Sequence, residues 1–163
     1  MVVFSGHGCD VLGVMRPPYS YRDDSNVPLF SDNTPIAVMD GECALCSWGA
    51  RMIHRLDRSG RVRICPVQSP LGRALLKHYG LCAEDPTSWL YLDAGQAYMD
   101  FEGMIHAGRS FGGWGHLVVA LRLLPRPVRN WLYRRLARNR YMLFGKGDIC
   151  ALPDPEFRKR LIE

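Results

Sequence analysis

Short apolar runs set between turn residues alternate along this chain with longer stretches of helical period. Ile36-Ala-Val-Met39, bounded by Pro35 and Asp40-Gly41, has the pattern of a buried strand. From Cys43 to Asp57 the apolar positions Leu45, Trp48, Met52, Ile53 and Leu56 recur at three and four, which predicts a helix closed by Ser59-Gly60. Residues 61–65 alternate as a half-buried strand does. Ser69 and Pro70 then supply an N-cap and a first-turn proline for a helix to Tyr79, with Gly80 as its C-cap. Trp89-Leu-Tyr-Leu92 and Gln96-Ala-Tyr-Met99 read as the strands of a hairpin turned at Asp93-Ala-Gly95. Asp100 caps a helix through Met104, Ile105 and Ala107. Two further helical stretches, near 114–124 and 127–140, are split by Pro125-Arg-Pro127, and Asp154-Pro155 starts a last short helix.

The predicted order is β-α-β-α-β-β-α with additional C-terminal helices, an α/β arrangement over residues 35–152. Residues 1–34 show neither period and carry Gly6, Gly8, Gly13, Pro17, Pro18 and Pro28. They read as an N-terminal extension or linker, pinned at Val11, Leu12 and Tyr19. Residues 153–163 read as a C-terminal tail, helical at its start.

Composition narrows the class. The chain has 163 residues and is 47% apolar, enough for one domain with a real core. No apolar run is long enough to span a bilayer, and the longest candidate, 117–124, is interrupted by Arg122. The net charge of +5 is unevenly distributed. Residues 1–103 hold nine Lys/Arg against twelve Asp/Glu, whereas residues 104–163 hold twelve against four. Six cysteines are too few for a disulfide scaffold. The N-terminus lacks a basic region followed by a long apolar stretch, so no secretory signal is expected, and reducing cytoplasm is the expected compartment.

The sharpest chemical feature is Cys43-Ala-Leu-Cys46, between a strand and a helix. Two cysteines at this spacing on a first helical turn can close a small disulfide ring. The helix-end amides stabilise a thiolate on Cys43, while Cys46 lies deeper in the turn. That difference assigns Cys43 as nucleophile and Cys46 as resolving thiol, with Cys43 the exposed member of the pair.

Around this motif, Asp40-Gly-Glu-Cys-Ala-Leu-Cys46 resembles the signature of the DCC family of predicted thiol-disulfide oxidoreductases. The resemblance runs on through Leu56-Asp-Arg58, Val67-Gln-Ser-Pro-Leu-Gly-Arg73 and Trp89-Leu-Tyr-Leu-Asp-Ala-Gly95. It continues through Leu121-Arg-Leu-Leu-Pro-Arg-Pro127 and Arg138-Asn-Arg-Tyr-Met-Leu-Phe-Gly145, covering about residues 35–152. It implies a thioredoxin-like fold and redox activity. Taken with the motif, the expected function is dithiol-disulfide exchange with a protein or small-thiol partner, needing neither metal nor organic cofactor. Thioredoxin-like proteins place a cis-proline just before the hairpin. Here Pro86 comes early, so either Pro86 serves with a one-residue shift, or Thr87 or Ser88 takes that place.

Asp40, three residues before Cys43, has two readings: its carboxylate exchanges protons with a cysteine, or it forms the turn with Gly41. Glu42 would oppose a thiolate on Cys43 if close to it. The competing chemistry is a non-catalytic module, with Cys43, Cys46, His78 and Cys82 as zinc ligands. Cys65 and Cys82 otherwise read as ordinary buried thiols, and Cys150, near Asp148, as an inert lone cysteine or, in the second reading, a third redox partner. His54, His106 and His116 fall on predicted helices in packing or solvent roles. In the 127–141 stretch, Val128, Trp131, Leu132 and Leu136 form an apolar stripe with Arg129, Arg134, Arg138 and Arg140 largely elsewhere. Its ordinary fate is to pack on the core; its alternative is to lie on an anionic membrane or grip an acidic partner. No nucleic-acid-binding module is recognisable.

Overall fold

The structure is a computed structural model and describes residues 16–83, 89–149 and 154–162. Four short strands make one mixed sheet in the order β2-β1-β3-β4. They are β1 (Ile36–Met39), β2 (Arg63–Pro66), β3 (Leu90–Asp93) and β4 (Gln96–Met99). β1 runs parallel to β2 and antiparallel to β3, and β3 turns back into β4 with Asp93 opposite Gln96. This is the sheet expected of a thioredoxin-like α/β domain, and the predicted strands all form within about two residues of their expected places.

β1 is central and buried along its whole length, which is why it reads as an unbroken apolar run. Its alternate side chains divide the core. Ile36 and Val38 face a cluster with Leu90, Leu92, Leu71, Leu75 and Leu76. Ala37 and Met39 face the other cluster, with Ile64, Tyr91, Ala50, Ile53 and Ala107. The helices of this core are α1 (Ala44–Leu56), α2 (Pro70–His78) and α3 (Asp100–Phe111). Ser69 caps α2 as predicted, accepting from the Gly72 amide at 3.0 Å.

Both ends of the described chain pack on this core. Tyr19 donates its amide to the Gly95 carbonyl at 2.9 Å, and Tyr21 and Val27 are buried in the first cluster. Val11 and Leu12 lie outside the described residues. At the other end, α6 (Pro155–Arg158) seats Phe157 in the second cluster, and residues 160–162 run along β2. There Ile64 donates to Arg160 O at 2.7 Å and Ile162 donates to Ile64 O at 2.8 Å.

Between α3 and α6 the expected helix near 114–124 is broken into a short α4 (His116–Val119) flanked by 3-10 turns. α5 (Arg126–Phe144) is longer than predicted and crosses the faces of α1 and α3. Its stripe does not pack inward. Val128, Trp131 and Leu132 are exposed, Leu136 is half-buried, and the fully buried residues are Arg129 and Arg140. Each of these arginines meets a carboxylate, Asp40 inside the protein and Glu102 partly exposed at its edge. Arg129 donates to Glu102 at 2.7 Å and Arg140 to Asp40 at 3.1 Å. No helix among the described residues is long and apolar enough to cross a membrane.

Candidate active site

The end of β1 delivers Asp40, a tight turn follows, and α1 begins with Cys43 at its N-cap. The first free amides of α1 therefore converge on the Cys43 sulfur. Hydrogen bonding from the Cys46 thiol, the Cys46 and Leu45 amides, and the Arg140 charge together outweigh burial and lower the Cys43 thiol to about 6. Cys46 goes the other way. Its hydrogen bond to Cys43, burial, and the nearby negative charge of Cys43 and Asp40 raise its thiol above the ordinary range. The two sulfurs share one proton unequally, with the anion on Cys43.

Asp40 is buried and satisfies the turn reading with one oxygen. Its Oδ1 accepts from the Glu42 amide at 3.0 Å and from Gln68 Nε2 at 2.8 Å. Its Oδ2 accepts from Arg140 at 3.1 Å and from the Tyr141 hydroxyl. Burial alone would raise this carboxyl, but the bonds from Tyr141, Gln68 and the Glu42 amide, with the Arg140 charge, bring it below its ordinary value. Burial and donation to Asp40 push the Tyr141 phenol up to about 12. The carboxylate, the guanidinium and the two sulfurs thus form one electrostatic unit.

Cys43 is not the exposed thiol that its place on the helix suggested. It is 0% exposed, whereas Cys46 is half-buried. The cover is the chain leaving α5. Ala44 donates its amide to Gly145 O at 3.3 Å, Gly147 donates to Glu42 O at 2.9 Å, and Ile149 donates to Gly41 O at 2.8 Å. Residues 145–149 lie as a strap along 41–44, closing over the first cysteine. The strap depends on glycine. Gly145 turns out of the helix at φ 74°, and a Cβ on Gly147 would stand 2.7 Å from Ala44 Cα.

Cys46 instead lines a cavity of about 370 Å3 between α1, α3 and α5. The apolar side chains Leu45, Trp48, Met52 and Leu56 of α1 face it, and Asp40 and Arg140 stand at its polar end. The helical stripe recognised in the sequence is therefore only partly a core stripe.

The proposed zinc quartet does not assemble. Both ring nitrogens of His78 are engaged, Nδ1 with Asp24 at 2.7 Å and Nε2 with Ser20 at 2.9 Å. Cys82 is disulfide-bonded, neither a ligand nor an ordinary thiol, and no cluster of three or more metal-binding side chains occurs among the described residues. Cys65 is a free buried thiol, raised by burial, as its strand position predicts. His54 and His106 pair with Asp154 and Asp93 at 3.1 and 3.0 Å, away from the thiols. Pro86, Thr87, Ser88 and Cys150 lie outside the described residues.

Gln68, Arg140 and Tyr141 are the site residues that the residue-by-residue reading missed. Their one sequence signal was membership in two of the blocks that resemble a family, 67–73 and 138–145.

A dithiol at the first strand-to-helix junction of this mixed sheet, with an asymmetric charge distribution across its sulfurs, defines a thioredoxin-like protein of the thiol-disulfide class. The chain belongs to the DCC1-like thiol-disulfide oxidoreductase family, whose profile matches residues 37–146. It is 34% identical over 127 residues to the uncharacterized protein YuxK of Bacillus subtilis (strain 168), covering 78% of this chain and 93% of that one. It is 31% identical over 122 residues to the chloroplastic DCC family protein At1g52590 of Arabidopsis thaliana, covering 74% of this chain and 71% of that one. No solved structure matches.

Proposed function

We propose that the protein catalyses dithiol-disulfide exchange with a protein or small-thiol partner, with Cys43 as nucleophile and Cys46 as resolving thiol. The observation that carries this reading is the placement of the dithiol: Cys43 is the N-cap of α1, bonded to Cys46 and to the first free amides, which draws Cys43 towards the anion and Cys46 towards the neutral form. In the reducing direction the Cys43 thiolate attacks one sulfur of a substrate disulfide. The Cys43–substrate bond forms, the substrate S–S bond breaks, and the departing thiolate takes up a proton. Cys46 then loses its proton and attacks the Cys43 sulfur, releasing the second substrate thiolate and leaving a Cys43–Cys46 disulfide. The substrate gains two electrons and the dithiol loses two; the oxidising direction is the reverse.

Asp40 enters as a positioning residue. With its oxygens occupied by four donors, it holds Arg140 beside the sulfurs, is itself fixed by Tyr141, and keeps a negative charge that discourages ionisation of Cys46 before attack. Because residues 145–147 cover Cys43, the strap moves aside when a substrate is attacked, and the cavity at Cys46 receives the apolar part of the partner. The proposed location is reducing cytoplasm, where a resting dithiol is the expected form. The disulfide at Cys82 runs against it, and a thiol count on protein extracted under alkylation reads that directly.

The test is trapping. Cys46→Ser incubated with a disulfide substrate such as oxidised glutathione should accumulate a mixed disulfide at Cys43, and Cys43→Ser should not. Equal trapping by both variants, or by neither, rejects the assignment.

A further inference from the structure

We propose that the outward face of α5 docks the protein on an anionic lipid bilayer, with the helix lying in the plane of the headgroups. This surface is independent of the thiol chemistry. α5 is built inside out. Its two fully buried residues are the ion-paired Arg129 and Arg140, while Trp131 is 62% exposed and Met142 79% exposed. Val128, Trp131, Arg135, Arg138 and Met142 are spaced at three and four and so share one face of the helix. All five are exposed. Leu132 and Leu143 are exposed beside them.

Charge decides what covers this face. No Asp or Glu occurs anywhere from residue 113 to 147, while Arg122, Arg126, Arg135, Arg138 and Lys146 are exposed in the same stretch. A second copy of the chain would bring the same cations against one another, so self-association is opposed. An acidic protein would have to set apolar groups between its carboxylates in register with Trp131 and Met142, a matched surface that a fluid bilayer does not require. A bilayer rich in anionic lipid supplies both layers at once: phosphates for the guanidinium heads, and the acyl boundary for the indole and thioether between them. A helix of 19 residues is about 28 Å long, enough to lie across several headgroups. Its arginine content suits the plane of the interface and not a span.

The experiment uses the full chain with sedimented vesicles of phosphatidylcholine, with or without roughly 30 mol% phosphatidylglycerol. Partitioning should be at least about tenfold stronger on the anionic vesicles and should weaken as salt rises. Arg135→Glu/Arg138→Glu should remove that preference. Trp131→Ser/Met142→Ser should weaken binding while leaving its salt dependence unchanged. Brominated lipid should quench the fluorescence of the wild type more than that of Trp131→Phe. These residues are exposed, and circular dichroism of each variant checks that the fold is kept. Equal partitioning on neutral and anionic vesicles overturns the proposal, as does wild-type binding by the arginine variant. Binding to polyglutamate without binding to vesicles would overturn it in favour of an acidic protein. A concentration-dependent dimer abolished by Trp131→Ser would overturn it in favour of self-association.

Discussion

Arg140 donates to Asp40 at 3.1 Å across 100 residues of sequence, and both side chains are buried. Asp40 ends the central strand and Arg140 sits four residues before the end of α5. The pair ties the C-terminal helix to the turn that carries the cysteines. It also places a cation beside two sulfurs, where it favours the anionic form of both.

Removing one partner of a buried pair leaves the other charge uncompensated. Asp40→Asn should therefore lower stability by about 3–5 kcal/mol in urea denaturation. The Asp40 carboxyl is depressed in the folded state, so its contribution is fully present above about pH 4. It is lost as acid titrates the chain down through the lower folded value. The acid limb of the wild-type stability profile should accordingly flatten in Asp40→Asn.

The Cys43 thiolate should appear with a midpoint of about 6, read by its absorbance in the ultraviolet or by alkylation rate against pH. Since the hydrogen bond from Cys46 is the leading cause, Cys46→Ala should move that midpoint up by about one unit or more. From about pH 6 to 8.5 the unfolded chain binds the proton that the folded chain has lost. The reduced wild type should gain stability as pH rises through that window, and Cys43→Ser should not.

Gly147→Ala places a Cβ against Ala44 and Ser47 at 2.7–3.1 Å, and two of the three close contacts are backbone. The strap has to lift. Stability should fall by about 1–3 kcal/mol, and Cys43 should alkylate faster at a fixed pH below its midpoint. Unchanged labelling would mean that the strap does not control access to the sulfur.

Phe157 is 1% exposed in the cluster that also holds Ile53, Ile64 and Tyr91. Phe157→Ala should cost about 3–5 kcal/mol by thermal or chemical denaturation. A cost below about 1 kcal/mol would show that the C-terminal segment is an appendage and not part of the domain.

The chain's own pattern determined the four strands, the helices α1, α2 and α3, the sheet class and the dithiol, but not the broken stretch at 113–123. These rest on local rules: a period of two or three to four, a proline after a serine cap, and two cysteines one helical turn apart. The tertiary structure alone decided which cysteine is covered, because the cover comes from Gly145–Gly147, a hundred residues downstream. It also decided that α5 faces the wrong way round. Spacing shows that Trp131 and Arg140 lie on different sides of a helix, but not which side turns inward. The arginines turn inward because Asp40 and Glu102, on other elements, stand where the helix lands and accept from them.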